Sequence, residues 1–481
     1  MSSPVRTEAP VSPPAPVRVP PAVRLGYGIG NVAYSLPYQA VATFFLFFAT
    51  VILRYPAKWA GIGIAISLVW DAVADPVAGH LSDRTRSRAF GRRHGYLLFG
   101  GLAVAVLTWL LWSVPPGRSP FALVVALLLL LRTALTTYYV PYLALGGELS
   151  DAYEERAAIQ GVRATFYLLG MILAMAGATI VFFRSTPEFP RGQFNPAAYP
   201  RMGAAFAVIA AISVVVGVAS TLRAVSPAVA RPAREGGATL AQKFAAAVGN
   251  RDLRALLLMI FVLEAGFQFG VAIGIHVNTY TYGLSGPVIG LLALTILGSS
   301  IASQPFWVAF TRRFEKRTAL LLALGIGFVG FVGPPWALVW WKLFPLDPAR
   351  VPWFLTPFNV VAGIANGAFM SIPNAMVVDA ADAEQLRSGR RDDGLYFGTY
   401  TFAYKLGVSV ALVASGLALS AIGFTPHLTA QSEGTRFQLA MIPTYLFLLA
   451  GAGAAAFLSR YSITRRRWEA TRRELDRRAE S

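Results

Sequence analysis

The stretch Trp70-Asp71-Ala72-Val73-Ala74-Asp75-Pro76-Val77-Ala78-Gly79 sets two aspartates four residues apart inside an apolar run, and it leads into Ser82-Asp83-Arg84-Thr85-Arg86-Ser87-Arg88. An apolar segment closed by clustered arginines reads as a membrane-spanning helix whose basic end stays in the headgroup layer. Working outward, a spanning helix needs about 20 mostly apolar residues. Twelve stretches qualify, roughly 27–53, 58–82, 96–114, 120–147, 162–183, 202–222, 253–280, 286–310, 318–342, 352–379, 395–422 and 437–460. The expected fold class is therefore an all-α membrane protein. Its plan is a Pro-rich disordered tail (1–24), a six-helix bundle (25–222), a linker (223–252), a second six-helix bundle (253–460) and a basic tail (461–481). The first 24 residues carry seven prolines and no apolar signal core, so they are expected to be a tail rather than a leader.

Composition excludes the soluble alternatives. Apolar residues make up 55% and charged residues 14%, against about 45–50% and 25% in ordinary soluble domains. The mean hydropathy is +0.54. With no cysteine in the chain, disulfides, thiolate metal sites and cysteine nucleophiles are excluded. A net charge of +18 and a pI near 10.4 would suit nucleic-acid binding, but the location of the charges argues otherwise. Counted with the N-terminus inside, the tails and even-to-odd turns hold 31 Lys and Arg and the opposite side holds 9. That asymmetry is the positive-inside signature. It predicts a multi-pass protein with both termini cytoplasmic, in contact with the lipid bilayer and with no nucleic-acid partner. Arginine outnumbers lysine 37 to 5, a bias that points to a GC-rich bacterial genome and so to the cytoplasmic (inner) membrane.

A faint repeat joins the halves. Arg84-Thr85-Arg86-Ser87-Arg88 recurs in kind as Arg312-Arg313-Phe314-Glu315-Lys316-Arg317, 228 residues later. Pro141 ahead of Glu148, Asp151 and Arg156 is matched by Pro373 ahead of Asp379, Asp382 and Arg387, 232 residues later. Parallel repeats of this sort build carriers whose solute site lies between the halves near mid-membrane.

Five ionisable side chains fall near the middle of predicted spans: Asp71, Asp75, Arg132, Glu264 and Lys405. Each costs about 2.5–3.5 kcal/mol at the bilayer centre and so faces a cavity or a partner. Asp71 and Asp75 share a helical face, and their mutual repulsion is relieved by a proton or a bound cation. The bland alternative is that Arg132 or Lys405 ties them off as plain ion pairs. Lys405 lies among Tyr400, Tyr404 and Ser409, and it either holds the acids when no cation is bound or hydrogen-bonds a solute. Arg132, Thr136 and Tyr139 fall on one face, as do Glu264 and Gln268, with His276 further along as a packing residue. No His/Asp/Glu spacing suits zinc, and no GxSxG, P-loop or HExxH motif occurs. Neither an enzyme nor a cofactor is expected.

The Asp71/Asp75 segment with its basic turn resembles the glycoside-pentoside-hexuronide:cation symporter family, a branch of the major facilitator superfamily that includes the melibiose carriers. Val140-Pro141-Tyr142 with Arg156 and Arg163 is similar to the family's pattern, as is the run Asp379, Asp382, Gly389-Arg390-Arg391, Gly394-Leu395-Tyr396-Phe397-Gly398 and Lys405-Leu406. The resemblance implies the major facilitator fold and cation binding by Asp71, Asp75 and Thr136. The two aspartates would be metal ligands only if the ion is sodium. It also places Arg163 and Lys405 near the sugar and cation sites. Melibiose carriers have an amide where this chain has Ala74, which leaves a sodium site one oxygen short and favours protons. They have sugar-binding acids where this chain has Ser35 and Tyr139. Pro37-Tyr38-Gln39 is similar to the animal sodium-coupled lysophosphatidylcholine symporters, a related branch, which makes an amphiphile the alternative solute. Gly79, Asp83 and Arg84 resemble the superfamily's gating loop.

The expectation is a monomeric symporter of a small organic solute, coupled to H+ or Na+. The solute would be a sugar or glycoside met by Tyr38, Arg132, Tyr139, Arg163, Glu264, Gln268, Tyr404 and Lys405. A non-transporting scaffold or receptor, the reading from a different class, would show fully paired acids and no central cavity.

Overall fold

The computed structural model describes residues 19–85, 87, 90–150, 153–223, 248–340, 347, 349–389, 393–426 and 428–480. Of the residues singled out above, Arg86, Arg88, Asp151, Arg390 and Arg391 lie outside the described residues, as do the side chains of Asp83 and Arg156. The described chain is helical, without a strand. In order come α1 (Pro21–Ile52), α2 (Ala57–Arg84), α3 (His94–Trp112), α4 (Phe121–Glu148), α5 (Tyr153–Ile172, continued by a π-helical stretch Leu173–Phe182) and α6 (Ala198–Thr221). The second half holds α7 (Arg251–Thr281), α8 (Gly286–Arg313), α9 (Lys316–Ala337), α10 (Val351–Ser388), α11 (Asp393–Ala421) and α12 (Glu433–Leu458), and a last helix, α13 (Arg465–Glu480), follows.

Eleven helices among the described residues are long and apolar enough to cross a membrane. The twelfth, α2, carries the aspartate pair, and its 28 residues reach about 42 Å at 1.5 Å per residue. Local chemistry fixes several ends. Asn250 accepts from the backbone N–H of Asp252 and Leu253 to cap α7, and Ser432 accepts from Thr435 N–H to cap α12, each filling a donor that the first helical turn leaves open. Gly389, at φ +69°, closes α10 in the left-handed region that glycine enters without a Cβ penalty.

Two boundaries differ from expectation. Residues 1–18 lie outside the described region, but α1 begins at Pro21, inside the stretch expected to be tail, because proline is pre-set for a first helical turn. The expected C-terminal tail is largely helix α13. Its Trp468 Nε1 donates to Asp382 Oδ2 at 3.3 Å and its Arg472 Nε stands 3.1 Å from the same oxygen, so buried Asp382 holds it against α10.

Packing follows the repeat. In the first half α1 packs on α5 and α6, α2 on α4, and α3 on α4 and α6. In the second, α7 packs on α11 and α12, α8 on α10, and α9 on α10. Across the halves α1 meets α7, while α2 meets α11 and α5 meets α8, two pairs that exchange when the halves are exchanged. The π-helical turns at Phe48–Ile52 and Val277–Thr281 end α1 and α7 at positions 229 residues apart. Where α2 crosses α11, Gly61 and Gly416 meet backbone to backbone, and a Cβ on Gly416 would stand 2.6 Å from the Cα of Gly61.

The apolar core runs continuously across both halves at the end where α1 and α7 finish, through Phe47, Ile275, Tyr280, Leu419 and Phe424. Towards the opposite end the second half has a separate core around Leu256, Trp307, Met376 and Tyr461. One end of the molecule is therefore sealed, and the halves part from mid-depth onward.

Candidate solute and cation site

The helix spacing of Asp71 and Asp75 aims both carboxylates at α4 and α11. Thr136 Oγ1, from α4, lies 3.0 Å from Asp71 Oδ1 and 2.8 Å from Asp75 Oδ1. Lys405 Nζ, from α11, pairs with Asp75 Oδ2 at close range and stands 3.5 Å from Asp71 Oδ2. These side chains are partly accessible, with Asp71, Asp75 and Lys405 exposed to 13%, 29% and 31%.

Two negative charges therefore share one ammonium. The single hydroxyl proton of Thr136 can be given to only one of the two oxygens beside it. A proton on one acid completes the set: that acid donates to Thr136 Oγ1, and Thr136 donates to the other. A bound cation would meet the same three oxygens, while the ammonium holds the other oxygen of each carboxylate. Arg132 makes neither contact. Its guanidinium lies 5.1 Å over the ring of Tyr38, so the ion pair formed is the one with Lys405 and not the one with Arg132.

Beside this cluster is a cavity of about 490 Å³ between the halves, within the range of sites that enclose small organic ligands. Tyr38, Tyr139, Arg163, Tyr404 and Lys405 line it, together with Tyr34 and Tyr167. Gln304 of α8 and Ser371 of α10 also face it. On the first-half wall the rings of Tyr38, Tyr34 and Tyr139 stack in series, with centroids 5.2 Å and then 3.6 Å apart. Arg163 donates from Nη1 to the Tyr139 hydroxyl at 3.2 Å and from Nε to Gln160 Oε1 at 2.6 Å. Aromatic faces with hydroxyl rims suit a solute that is apolar on its faces and polar at its edges.

Three expected contacts stand behind that lining rather than in it. Gln268 Nε2 donates to Glu264 Oε2 at 3.2 Å, so the shared face of these two residues closes on itself. The Glu264 Cβ also packs where Gly407 of α11 leaves room. Arg132 sits behind Tyr38. Ser35 faces Gly170 on α5, where any Cβ would collide with it, and so serves helix packing. Of the expected gating residues, Gly79 lies beside Val140 on α4 with room for a Cβ, and Arg84 is exposed at the end of α2. Nearby, Arg92 and Arg93 both pair with Glu148, the latter at 2.7 Å. Lys316 pairs with Asp379 at 2.7 Å in the repeat-related place.

The sealed end was not read from the sequence. Thr50 Oγ1 lies 3.1 Å from His276 Nε2, joining α1 to α7. The segment between α5 and α6 reaches into the second half. Gln193 Nε2 donates to Thr279 Oγ1 and to the Leu284 carbonyl, both at 2.9 Å, and Arg191 Nη1 donates to the Thr279 carbonyl at 2.8 Å. Burial lowers the pKa of the Arg191 guanidinium from its ordinary value, opposed by Tyr280 and reinforced by Arg436. Most of these acceptors are backbone oxygens, which no residue pattern marks.

Residues 26–465 match the family described as MFS/sugar transport protein. YagG of Escherichia coli (strain K12), provisionally named a glycoside/cation symporter, is 27% identical over 94% of this chain and 94% of its own. Sodium-dependent lysophosphatidylcholine symporter 1-A of Danio rerio is 25% identical over 93% of this chain and 87% of its own. Among solved structures, that of a D-xylose-proton symporter superposes with a TM-score of 0.61 at 14% identity, covering 92% of this chain and 98% of that one. The nucleoside transporter NupG superposes at 0.64 and 14%, covering 92% and 99%. At such identity these structures speak to the fold alone.

Proposed function

We propose that this chain, which belongs to the MFS/sugar transport protein family, is a cation-coupled secondary symporter that carries a sugar or glycoside by alternating access. The observation that carries the reading is one ammonium and one hydroxyl serving two mid-membrane carboxylates. This arrangement is short of one positive charge and gains one when a proton or sodium ion binds. The Thr136 geometry favours a proton, which completes the hydrogen bonds with no further ligand. Binding weakens the hold of Asp75 on Lys405, and Lys405 lines the solute cavity, so ion and solute act on one side chain. In this reading the sealed end faces outward, the cavity drains to the cytoplasm, both termini are cytoplasmic and the working unit is a monomer in the inner membrane. YagG's name supports the solute class.

One feature favours an amphiphile as the second reading. The cavity wall at the α5/α8 seam is apolar, through Leu168, Ile172, Leu297 and Ile301, and Ile301 is 48% exposed. An acyl chain could leave sideways there, and the name of the zebrafish relative lends support.

The test is counterflow and gradient-driven uptake in proteoliposomes against glycosides and lysolipids, under a sodium or a pH gradient. Uphill accumulation by the parent and only downhill entry by Asp71→Asn is the expected result. Accumulation that persists in that variant would refute the coupling role.

A further inference from the structure

We propose that Gln304 and Ser371 form a fixed pair of hydrogen-bond acceptors through which the second half reads a hydroxyl of the carried solute. This rests on the sugar or glycoside reading above and assigns residues that would select among such solutes. Gln304 stands just after an interruption of α8 at Ser303, which separates Gly286–Ala302 from Gln304–Arg313, and interrupted spanning helices commonly border a carrier's solute site. Its Nε2 donates to the Gly367 carbonyl of α10 at 3.0 Å and, more weakly, to the Ser300 carbonyl at 3.4 Å. Ser371 of α10 donates from Oγ to the same Gly367 carbonyl at 3.0 Å.

These bonds fix the polarity of both side chains. A carbonyl can only accept, so the amide turns its nitrogen to Gly367, and the serine hydroxyl spends its single proton there. What remains is Oε1 of Gln304 and Oγ of Ser371, both of them acceptors, and no donor among the described residues reaches either. Both side chains line the cavity. The close crossing of α8 and α10 holds them in place. A Cβ on Gly367 would stand 2.2 Å from Ser303 Oγ and 2.8 Å from the Ser300 carbonyl, and Trp307 Nε1 donates to the Ile364 carbonyl at 2.8 Å. Acceptors anchored on backbone in this way need little reordering when a solute arrives.

On the facing wall Arg163 lines the same cavity and carries only N–H donors. The two walls are thus opposite in polarity. A solute that bridges them turns an oxygen acceptor to Arg163 and a donor to Gln304 and Ser371. Two neutral oxygens do not neutralise an ammonium, and an acyl chain would leave both without a partner, whereas a hydroxyl needs only a lone pair to donate to. Contact with both halves lets the solute, as well as the ion, bias how the halves pack.

The experiment titrates the purified full-length protein with methyl β-D-xyloside, methyl β-D-glucoside and methyl β-D-galactoside, following thermal melting. Beside them run analogues in which a single ring hydroxyl is replaced by fluorine, which keeps the size of the group and removes the donor. Ser371→Ala and Gln304→Met each delete one acceptor, and Ser371→Thr restores the hydroxyl. The proposal expects at least one glycoside to raise the melting temperature of the parent, and one of its fluoro analogues to bind about tenfold more weakly. In Ser371→Ala, Gln304→Met or both, the glycoside itself weakens about tenfold and that same analogue binds no worse than the glycoside, so the two losses do not add. Ser371→Thr keeps the discrimination of the parent. Losses that add, two variants that both bind like the parent, or a parent that binds every analogue as well as its glycoside overturns the proposal and leaves the sugar reading standing. No response of the parent to any glycoside overturns both. If Gln304→Met cannot be recovered, Ser371→Ala against Ser371→Thr decides alone. Failure of the symport reading is seen elsewhere, in Asp71→Asn and Asp75→Asn that still accumulate solute, whatever the acceptor pair does.

Discussion

The two halves meet in two chemically different ways. At the sealed end the contacts are hydrogen bonds and packed rings: Gln193 and Arg191 donate across the boundary, Thr50 meets His276, and the rings of Phe47, Tyr280 and Phe424 close around them. At mid-depth the link is ionic, one lysine from the second half on two aspartates from the first, with a cavity alongside. On the proposed reading, a cation at the aspartates would change the second kind of contact and leave the first alone. The ionic link is therefore suited to sense the proposed ion, and the hydrogen-bonded seal sets how hard its own end is to open.

The largest effect expected from breaking this contrast is at the aspartates. In proteoliposomes, Asp75→Asn removes the carboxylate closest to Lys405 and should reduce gradient-driven accumulation to equilibration, a loss of about a hundredfold in the inside-to-outside ratio for a ΔpH of two. Next comes Lys405→Ala. Leaving two partly accessible mid-membrane carboxylates without their ammonium costs up to about 3 kcal/mol, so the melting temperature should fall at high pH. The deficit should shrink at low pH, where a proton can stand between the acids. Equal destabilisation across pH would contradict the sharing of charge.

The seal should respond more gently. Gly416→Val forces a side chain into the backbone of Gly61, and overpacking of this kind costs about 1–3 kcal/mol. It is expected to part α2 from α11 near the sealed end and to raise the labelling of a cysteine introduced at Thr50. Smallest is Gln193→Ala, which deletes two donated bonds worth about 1 kcal/mol each. It should favour opening of the sealed end modestly while leaving the cation dependence of melting as in the parent. A changed cation dependence there would erase the distinction between seal and sensor.

Much of this frame was legible in the sequence because lipid punishes polar groups. Apolar runs gave the helices, and the residues that broke them, Asp71, Asp75 and Lys405, converge although Lys405 is 330 residues away from Asp75. Thr136 entered the cation set through the family resemblance, since its spacing from Arg132 placed it only on a polar face. Elsewhere the same logic misled. Glu264 and Gln268 share a helical face, but at a spacing of four they satisfy each other, so a shared face did not mean a shared cavity. The tyrosine stack joins α1 to α4 through Tyr34, which looks in sequence like any other interfacial aromatic. Gln193 and Arg191 lie in a loop and bind mostly carbonyls, and Asp382 acts through α13, in a segment that composition marked only as basic.

The central claim is that a cation at Asp71 and Asp75 loosens the ionic link between the halves. Because the chain has no cysteine, spin labels can be placed singly at Gly147→Cys on α4 and Arg313→Cys on α8 and the distance between them measured by double electron–electron resonance. Adding sodium or lowering the pH should shift the distance distribution in the labelled parent and leave it fixed when Asp71→Asn and Asp75→Asn are combined. The same shift with and without the two carboxylates would contradict the account.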